Sequence, residues 1–429
     1  MSSKDGKRKR PLVPRLRFPE FREAGEWENK PLGKMCNVLQ GYGFPEVLQG
    51  KHEGKYPFYK VSDISRAVVK NGGLLDEATN YVGDDELLEL RAKLIPKGAT
   101  VFAKIGEALR LNRRAYTQNE CLIDNNTTGL KAIEGTGNDY FVYLLSQLID
   151  LNKHCGGAVP SVNKTTLEKI AIVVPGTDEQ KRIADCLSSL DELISLEAQK
   201  LEALKRHKKG LMQQLFPREG ETIPRLRFPE FREAGEWEIL AMSQICRVTQ
   251  GGTPSTTVGR YWGGTIPWIT PAEMGKDIQP YVSKTARYIT CEGLKNCSSE
   301  LLPENSVIIS TRAPIGYLAI NTVPMAINQG CRGLIPFKEH NHLFIYYYLC
   351  KSRDSLNDLG SGNTFKELSG SVLQSFSLTM PQEVEQQKIA DCLSSLDERI
   401  TLEAQKLEAL KRHKKGLMQQ LFPVLDDGV

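Results

Sequence analysis

The sequence has few features of secreted, membrane-inserted or zinc-binding proteins. Its ten cysteines are scattered singly, and the closest two, Cys291 and Cys297, are too far apart for the CxxC pair of zinc sites. We therefore expect reduced thiols that pack in hydrophobic cores. No apolar run reaches the roughly 18 residues of a transmembrane helix, and the basic start of the chain lacks the apolar segment of a signal peptide. These absences predict a cytoplasmic protein.

Catalytic signatures are also missing. The chain has no Asn/Asp/Ser-Pro-Pro-aromatic tetrapeptide of an amino-methyltransferase, no GxxxxGK phosphate loop and no cluster of metal ligands. The segment GKHEGK at 50–55 is one residue short of a phosphate loop, and its Glu53-Gly54-Lys55 is a nuclease-like ExK without an upstream acid. We assign no catalytic residue and no metal site. A net charge of only +4 means that any basic surface must be local.

Two segments of the sequence occur twice. PRLRFPEFREAGEWE at 14–28 returns unchanged at 224–238, and the segment 179–217 returns at 385–423 with four substitutions. The bodies between them match only faintly, through YPFYKVSDI (56–64) with IPWITPAEM (266–274) and the strand-like runs IPKGATVFAKIG (95–106) and LPENSVIISTRAPIG (302–316). We predict a leader at 1–28, a body at 29–178, a connector helix at 179–217, a linker with the repeated leader at 218–238, a second body at 239–384, a second connector helix at 385–423 and a tail at 424–429.

The contrast between constant and variable segments is informative. Near-identical connectors suggest that both copies meet the same partner surface, whereas divergent bodies suggest that each recognises a different target. A recent duplication under no particular demand would leave the bodies as similar as the connectors, and they are not.

The repeated segment is typical of a long helix with a heptad seam, because its apolar residues recur at alternating steps of four and three. Parallel pairing would place like charges together in this seam. An antiparallel register in which partner numbers sum to 611 instead sets Glu197 against Lys414 and Lys208 against Glu403. We predict that register, with the helix-pairing residues Leu190, Ile194, Glu197, Leu201, Leu204, Lys208, Leu211, Leu215, Leu396, Ile400, Glu403, Leu407, Leu410, Lys414, Leu417 and Leu421.

Antiparallel helices would place the two bodies at opposite ends of a rod. The 26 residues from Leu190 to Leu215 span roughly 39 Å at about 1.5 Å per residue. One turn of B-DNA measures about 34–36 Å, so the rod could set two DNA-binding bodies about one turn apart. The alternative is an ordinary coiled-coil scaffold.

The order of these segments resembles that of the specificity subunits of type I restriction-modification systems, over essentially the whole chain. The resemblance rests on the leader LRFPEFREAGEWE, on GGTPSTTVGRYWGGTIPWIT at 251–270, on GSGNTFKEL at 360–368, and on the helix starts EQKRIADCLSSLDELI at 179 and EQQKIADCLSSLDERI at 385. It implies two tandem α/β (α+β) target-recognition domains separated by two long α-helices that form an antiparallel coiled coil, with a pseudo-two-fold internal repeat.

The same resemblance implies a non-catalytic subunit. Each domain would recognise one half of a bipartite site in double-stranded DNA, while the helices set the spacer and dock two copies of a DNA adenine methyltransferase subunit. Restriction and translocase subunits would join the complex. The chain itself would bind no cofactor, since S-adenosylmethionine, ATP and Mg2+ would belong to the partners.

Base recognition needs polar side chains on rigid supports, with Arg, Asn and Gln able to bind bases through two hydrogen bonds. The candidates are Lys60, Ser62, Asp63, Lys104, Arg110, Arg113, Arg114, Gln118 and Asn119 in the first body and Thr253, Pro254, Ser255, Trp268, Thr270, Arg312, Asn328, Gln329, Ser361, Asn363, Thr364 and Lys366 in the second. Each could instead be a solvated surface group, and Trp268 a core aromatic.

Identical residues cannot recognise different half-sites. We therefore interpret Trp27 and Trp237, in the identical leaders, as packing or partner residues, and the basic runs 205–209 and 411–415 as solvated helix faces. Two rival functions stay open: a stand-alone restriction nuclease with tandem domains, and a coiled-coil scaffold that does not bind DNA.

Overall fold

The computed structural model describes residues 12–70, 72–157, 159–275, 280–312, 314–360 and 367–423. The chain divides into two compact units, Met1–Ala198 with Leu407–Val429 (unit 1) and Gln199–Lys406 (unit 2). Each unit therefore contains one body together with a part of each long helix. From the sequence, these two helices were predicted as connectors separate from the bodies. The predicted tail at 424–429 lies outside the described residues.

The body of unit 1 (domain 1) contains three small sheets with strand orders β2-β9-β6-β7-β4, β5-β3-β8 and β1-β10. Its strands are β1 (Glu28–Pro31), β2 (Cys36–Gln40), β3 (Tyr56–Tyr59), β4 (Leu74–Leu75), β5 (Tyr81–Val82), β6 (Thr100–Ala103), β7 (Ala115–Thr117), β8 (Leu122–Ile123), β9 (Thr127–Ala132) and β10 (Ala171–Val174). Its helices are α1 (Val61–Lys70), α2 (Asp84–Glu89), α3 (Glu107–Arg110), α4 (Asp139–Leu148) and α5 (Lys164–Lys169), and the long helix α6 (Thr177–Leu215) follows.

The body of unit 2 (domain 2) has the sheet orders β12-β19-β16-β17-β14, β15-β13-β18 and β11-β20. Its strands are β11 (Glu238–Ala241), β12 (Cys246–Gln250), β13 (Trp262–Ile269), β14 (Tyr281–Val282), β15 (Tyr288–Ile289), β16 (Val307–Ser310), β17 (Leu318–Asn321), β18 (Ala326–Ile327), β19 (Cys331–Pro336) and β20 (Ser377–Met380). Its helices are α7 (Met242–Ile245), α8 (Cys291–Lys295), α9 (His342–Lys351), α10 (Arg353–Asp358) and α11 (Gly370–Ser375), and the long helix α12 (Glu383–Leu421) follows.

The two domains share one topology, strand for strand. Each strand of domain 1 pairs in the same order and direction as the strand ten numbers later in domain 2. The two strand-like runs predicted from the sequence contain β6 and β16, the middle strands of the five-stranded sheets, and all four residues of each strand are buried. The internal repeat is therefore confirmed at the level of the fold, although the two bodies have diverged in sequence.

The turn before each middle strand requires a left-handed backbone. Gly98 has a φ of +83°, and a Cβ there would approach Asp139 Oδ2 to 2.7 Å. The corresponding turn before β16 has Asn305 at φ 63°. Glycine and asparagine tolerate this conformation better than other residues. The same turn conformation therefore forms in both domains although their sequences differ.

The constant leader packs into the core of its own unit. In unit 1 the Trp27 ring lies 6.2 Å from the ring of Phe141 and 6.0 Å from that of Phe422, between centroids. In unit 2 the Trp237 ring lies 5.8 Å from that of Phe344. Both tryptophans are almost fully buried, which confirms their interpretation as packing residues.

A buried ion pair joins each leader to the start of a long helix. Arg17 donates two hydrogen bonds of 2.8 and 2.6 Å to the carboxylate of Glu179, and Arg227 donates two of 2.7 Å to that of Glu385. Two charge-assisted bonds in parallel fix both distance and orientation. Contacts within each unit thus explain why these residues are identical in the two repeats, in addition to any contact with a partner.

The predicted seam agrees with the burial of the long helices. The helices begin and end two residues earlier than the repeated segments, and none of the sixteen predicted helix-pairing residues is exposed. In unit 2, Lys200 pairs with Glu403 and Lys208 with Asp397, so higher numbers on α6 meet lower numbers on α12. This part of the pair is antiparallel, as predicted.

The predicted charge register, however, is wrong. Lys208 Nζ lies 2.5 and 2.6 Å from the carboxylate oxygens of Asp397 and not against Glu403. In unit 1, Lys414 Nζ lies 2.6 Å from Asp191 Oδ2 and not against Glu197. The prediction considered only charges within the seam, whereas these aspartates are adjacent to it.

A tyrosine from each domain explains why the lysines pair with these aspartates. Tyr347 on α9 donates a 2.7 Å hydrogen bond to Asp397, and Tyr140 on α4 donates one to Asp191. Contact with the domain helix makes each aspartate a better partner for the lysine than an exposed carboxylate would be, because water screens a buried pair less.

Three further observations limit what the chain can contain. No helix in the described part of the chain is long and apolar enough to cross a membrane. The described residues hold no group of three or more His, Cys, Asp or Glu side chains that could bind a metal ion. All ten cysteines are free; Cys36, Cys121, Cys246 and Cys331 are buried, as expected for core thiols, whereas Cys291 is exposed and the other five are half-buried.

Candidate nucleic-acid interface

A cluster of chain turns at one edge of domain 2 gathers polar residues from distant parts of the sequence. Four backbone hydrogen bonds hold it together: Gly252 N to Ile327 O (2.9 Å), Asn328 N to Ile269 O (2.9 Å), Thr311 N to Gly330 O (2.8 Å) and Leu368 N to Thr311 O (2.8 Å). We call residues 251–253, 270, 311–312, 328–330 and 367 the loop edge of domain 2.

Domain 1 contains the same loop edge, held by four equivalent hydrogen bonds. They run from Tyr42 N to Ile123 O (2.9 Å), Asp124 N to Tyr59 O (3.0 Å), Lys104 N to Asn126 O (2.9 Å) and Val162 N to Lys104 O (2.9 Å). The loop edge of domain 1 comprises residues 41–43, 60, 104–105, 124–126 and 161. The backbone frame is therefore constant between the two domains.

A glycine at the same position allows each frame to close. A Cβ on Gly41 would lie 1.8 Å from the carbonyl oxygen of Asp124, and one on Gly251 would lie 1.9 Å from that of Asn328. Only glycine fits such a close backbone approach. The glycines of the Gln-Gly pairs at 40–41 and 250–251 are thus a shared requirement of the frame.

The side chains on this frame differ between the domains. Lys60 and Lys104 of domain 1 stand where Thr270 and Thr311 stand in domain 2. The turn Asp-Asn-Asn at 124–126 corresponds to Asn-Gln-Gly at 328–330. A constant frame with variable donors and acceptors is the arrangement that sequence-specific recognition needs, because base edges are distinguished by hydrogen-bonding pattern.

Several of these side chains are oriented by neighbours. Asn328 donates a 3.0 Å hydrogen bond to Thr253 Oγ1 and accepts one of 2.8 Å from Gly330 N. In domain 1, Asp124 Oδ1 accepts a 3.2 Å hydrogen bond from Asn126 N. Burial raises the pKa of Asp124, and this hydrogen bond opposes the shift. Pre-oriented groups lose less conformational entropy on binding than free ones.

Sequence comparison assigns the chain to a family. The family model described as type I restriction modification DNA specificity domain matches residues 24–206 and again residues 234–412. The chain belongs to this family. The two matches correspond to the two domains with their long helices, so the chain contains two DNA specificity domains in tandem.

Individual relatives agree with this assignment. The type I restriction enzyme MjaIX specificity subunit of Methanocaldococcus jannaschii is 38% identical over 190 residues, which are 44% of this chain and 44% of that protein. That alignment therefore spans less than half of the relative. The type I restriction enzyme MjaVIII specificity subunit of the same organism is 25% identical over 427 residues, which are 95% of this chain and 93% of that protein.

A solved structure shares the fold. The S subunit of a type I restriction-modification system from M. genitalium matches with a TM-score of 0.63, at 15% identity, over 97% of this chain and 100% of that chain. The predicted architecture, two α/β domains in tandem with two long helices, is thereby confirmed.

Seven residues predicted from the sequence to contact DNA lie on the loop edges of the two specificity domains. They are Lys60, Lys104, Thr253, Thr270, Arg312, Asn328 and Gln329. Of the others, Ser62, Arg110, Asn119 and Ser255 are exposed, and Arg113 and Gln118 are half-buried, all outside the loop edges. Ser361, Asn363, Thr364 and Lys366 lie outside the described residues. Whether any of them touches DNA stays a prediction.

Four of the predicted contact residues are buried, which corrects the prediction for them. Pro254 is buried, and so are Asp63, Trp268 and Arg114. Asp63 accepts hydrogen bonds from Lys60 N (2.8 Å) and Thr79 Oγ1 (3.0 Å) at the start of α1. Trp268 donates its indole N–H to Gly252 O (2.9 Å), and so supports the loop edge from inside.

The fourth buried residue is Arg114. It lies over the ring of Phe102 at 4.6 Å and donates to Ile149 O at 3.1 Å. Burial lowers the pKa of its guanidinium to about 10. The polar residues between 110 and 119 suggested a surface loop, but this arginine is buried by its contacts with Phe102 and Ile149.

Sequence reasoning missed the polar turn of domain 1. Asn125 and Asn126 are exposed on its loop edge, next to Asp124, and none of the three was a candidate. A signal was available, since CLIDNN at 121–126 and MAINQG at 325–330 both place an amide-rich turn after a short apolar strand. Aligning these two segments would have identified the turn.

Proposed function

We propose that this chain is the DNA sequence-specificity subunit of a type I restriction-modification complex, and that it has no catalytic activity of its own. The observation that carries the proposal is the loop edge, which both domains build on the same backbone frame and equip with different polar side chains. Such a pair would recognise two different half-sites of one bipartite sequence in double-stranded DNA.

The constant segments support a partner that binds twice. Internal packing accounts for the identity of buried repeat residues such as Trp27 and Glu179, but not for that of exposed ones. Arg206, His207 and Lys209 are exposed on α6 and recur, also exposed, as Arg412, His413 and Lys415 on α12. Two identical surfaces would bind two copies of a DNA adenine methyltransferase subunit, with the helices setting the spacer between half-sites.

The chemistry would then belong to the partners. S-adenosylmethionine would bind to the methyltransferase subunits, and ATP with Mg2+ to the restriction and translocase subunits. This chain would contribute DNA recognition and assembly inside the cell.

The test is a base-resolution map of adenine methylation in cells that express the chain with its methyltransferase partner. A second strain would carry a chain whose residues 239–384 are replaced by the body of another family member. We expect a split methylated motif of which one half changes in the exchanged chain while the other half stays the same.

The controls separate recognition from scaffolding. Cells that lack this chain should show no split motif. A motif that is unchanged by the exchange, or methylation that does not depend on this chain, would contradict the proposal. DNA binding of the purified complex should also fall linearly, on logarithmic axes, as salt rises, because phosphate contacts release counterions.

A further inference from the structure

An arginine packs against two tryptophans beside the loop edge of domain 2. Arg287 precedes β15, and its guanidinium carbon lies 3.6 Å from the ring centroid of Trp262 and 5.3 Å from that of Trp268. The two rings contact each other edge to face at 5.1 Å. Cation–π attraction stabilises a guanidinium in this position and favours one orientation of its plane.

Hydrogen bonds tie this stack to the loop edge from two sides. Trp268 and Trp262 donate their indole N–H groups to Gly252 O (2.9 Å) and Ser255 O (3.1 Å), in the turn that contains Thr253. On the other side, the Glu273 carboxylate accepts from Ala286 N (2.6 Å) and from Thr270 Oγ1 (2.8 Å). Arg287 is therefore positioned by residues that also hydrogen-bond to the loop edge or to the turn beside it.

The donors of Arg287 remain available. Other arginines of domain 2 pair with carboxylates, as in Arg247–Glu300 (2.6 Å), Arg260–Glu292 (2.8 Å) and Arg312–Glu367 (3.3 Å). Among the residues that the structure describes, no carboxylate lies within 4 Å of Arg287, and the side chain is exposed. An exposed arginine with a fixed plane and free N–H groups is suited to a ligand with two acceptors in that plane.

Domain 1 has no counterpart of this arginine. Its equivalent position is Asn80, because Asn80 O accepts from Phe58 N (2.8 Å) as Arg287 O accepts from Trp268 N (3.1 Å). Asn80 is buried, and its Oδ1 accepts a 2.8 Å hydrogen bond from Gly50 N. The stacked arginine is thus particular to domain 2.

We propose that Arg287 recognises a guanine in the half-site of domain 2 through two hydrogen bonds to O6 and N7 in the major groove. The inference rests on the proposed function and assigns one base-reading residue within it. Guanine presents two acceptors on its major-groove edge, which match the guanidinium fork. A phosphate also offers two acceptors to this fork, but it lacks the N7 atom of guanine, and the experiment below distinguishes the two ligands by that atom.

The experiment uses the full chain in complex with its methyltransferase partner and duplexes that carry the motif found by methylation mapping. Each guanine of the half-site assigned to domain 2 is replaced in turn by 7-deazaguanine, which lacks the N7 acceptor but still pairs with cytosine. Affinity is measured for the unaltered complex and for the Arg287→Ala, Arg287→Lys and Arg247→Ala variants.

We expect Arg287→Ala to lower the affinity for the unmodified duplex by roughly 5- to 150-fold, the range for one bidentate contact. One 7-deazaguanine should weaken binding by the unaltered complex and leave the Arg287→Ala complex unaffected. Arg287→Lys should resemble Arg287→Ala, since it keeps the charge but not the fork. Arg247→Ala, which removes an exposed paired arginine of the same domain, should retain sensitivity to 7-deazaguanine.

Three results would overturn the inference. They are a half-site without a G·C pair, equal sensitivity to 7-deazaguanine with and without Arg287, and full binding by Arg287→Lys that is insensitive to 7-deazaguanine, which would indicate a phosphate contact. In each case the split motif would still depend on residues 239–384, so the proposed function would stand. Failure of the proposed function itself would be seen in the methylation map, as a motif that does not change when residues 239–384 are exchanged.

Discussion

At the scale of single residues, the buried Arg–Glu pairs are the contacts on which the constant segments depend most. The side chains of Arg227 and Glu385 are only 8% and 2% exposed. Burial opposes the charge of Arg227, but its hydrogen bond to Glu385 is the stronger effect and raises the pKa of the guanidinium. A charge in such a place is stable only while its partner is present.

We therefore predict that Glu385→Gln lowers the free energy of unfolding of unit 2 by about 3–5 kcal/mol, since it leaves a buried guanidinium without a counter-ion. Urea unfolding would measure the loss. Glu179→Gln should cost unit 1 a similar amount. Glu230→Gln is the matched control, because its pair with Lys388 is about half exposed and should contribute less than about 1 kcal/mol. Equal effects of Glu385→Gln and Glu230→Gln would contradict the prediction.

At the scale of elements, a tyrosine, an aspartate and a lysine join each domain to the two long helices. In unit 2 the members are Tyr347 on α9, Lys208 on α6 and Asp397 on α12. In unit 1 they are Tyr140 on α4, Asp191 on α6 and Lys414 on α12. Tyr140 and Tyr347 occupy different positions along their helices, counted from the N-caps Asn138 and Asn341, so the diverged domains satisfy the same aspartate by different routes.

A double-mutant cycle of Lys208→Met and Asp397→Asn should give a coupling energy of about 1–2 kcal/mol, because the pair is mostly buried and hydrogen-bonded. The control cycle is Lys205→Met with Glu202→Gln, an exposed pair on the same helix, for which we expect about 0.3–0.5 kcal/mol. Coupling of Lys208 to Glu403 instead of Asp397 would restore the register predicted from the sequence.

The elements also indicate where sequence reasoning succeeded and failed. Periodicity identified the long helices and their buried face, and the repeat identified a duplicated domain, because both depend on local patterns. The partner of Lys208 and the burial of Arg114 depend on contacts with residues far away in the sequence. These are Tyr347 on α9, which orients Asp397, and Ile149, whose carbonyl oxygen accepts from Arg114. No pattern within a single segment contains that information.

At the scale of the whole molecule, unit 1 needs residues from beyond domain 2 in the sequence, whereas unit 2 is one continuous segment, Gln199–Lys406. Leu16 N donates a 2.9 Å hydrogen bond to Gln420 O in unit 1, and Leu226 N donates one of 2.9 Å to Gln214 O in unit 2. Phe422 packs against Trp27 and Phe141, while Phe216 lies 5.2 Å from Phe344. The core of unit 1 is therefore completed by residues that follow domain 2 in the sequence, and the core of unit 2 by the end of the helix that precedes its own leader.

We predict that Phe422→Ala destabilises unit 1 and that Phe216→Ala destabilises unit 2, each by about 3–5 kcal/mol, the usual cost of removing a buried phenylalanine ring. Hydrogen exchange would locate the effect. Phe422→Ala should expose the amides of β6 and α4, and Phe216→Ala those of β16 and α9. Loss of protection in the opposite domain would refute the assignment of the two segments.

This arrangement has a consequence during synthesis. The core around Trp27 and Phe141 stays incomplete until residues 417–422 have left the ribosome, after the whole of Gln199–Lys406 has been translated. At about 5–20 residues per second, that delay lasts roughly 10–40 s. Meanwhile the identical letters LMQQLF at 211–216 are already present, so the nascent first domain meets a competitor for its own closing segment until domain 2 captures it.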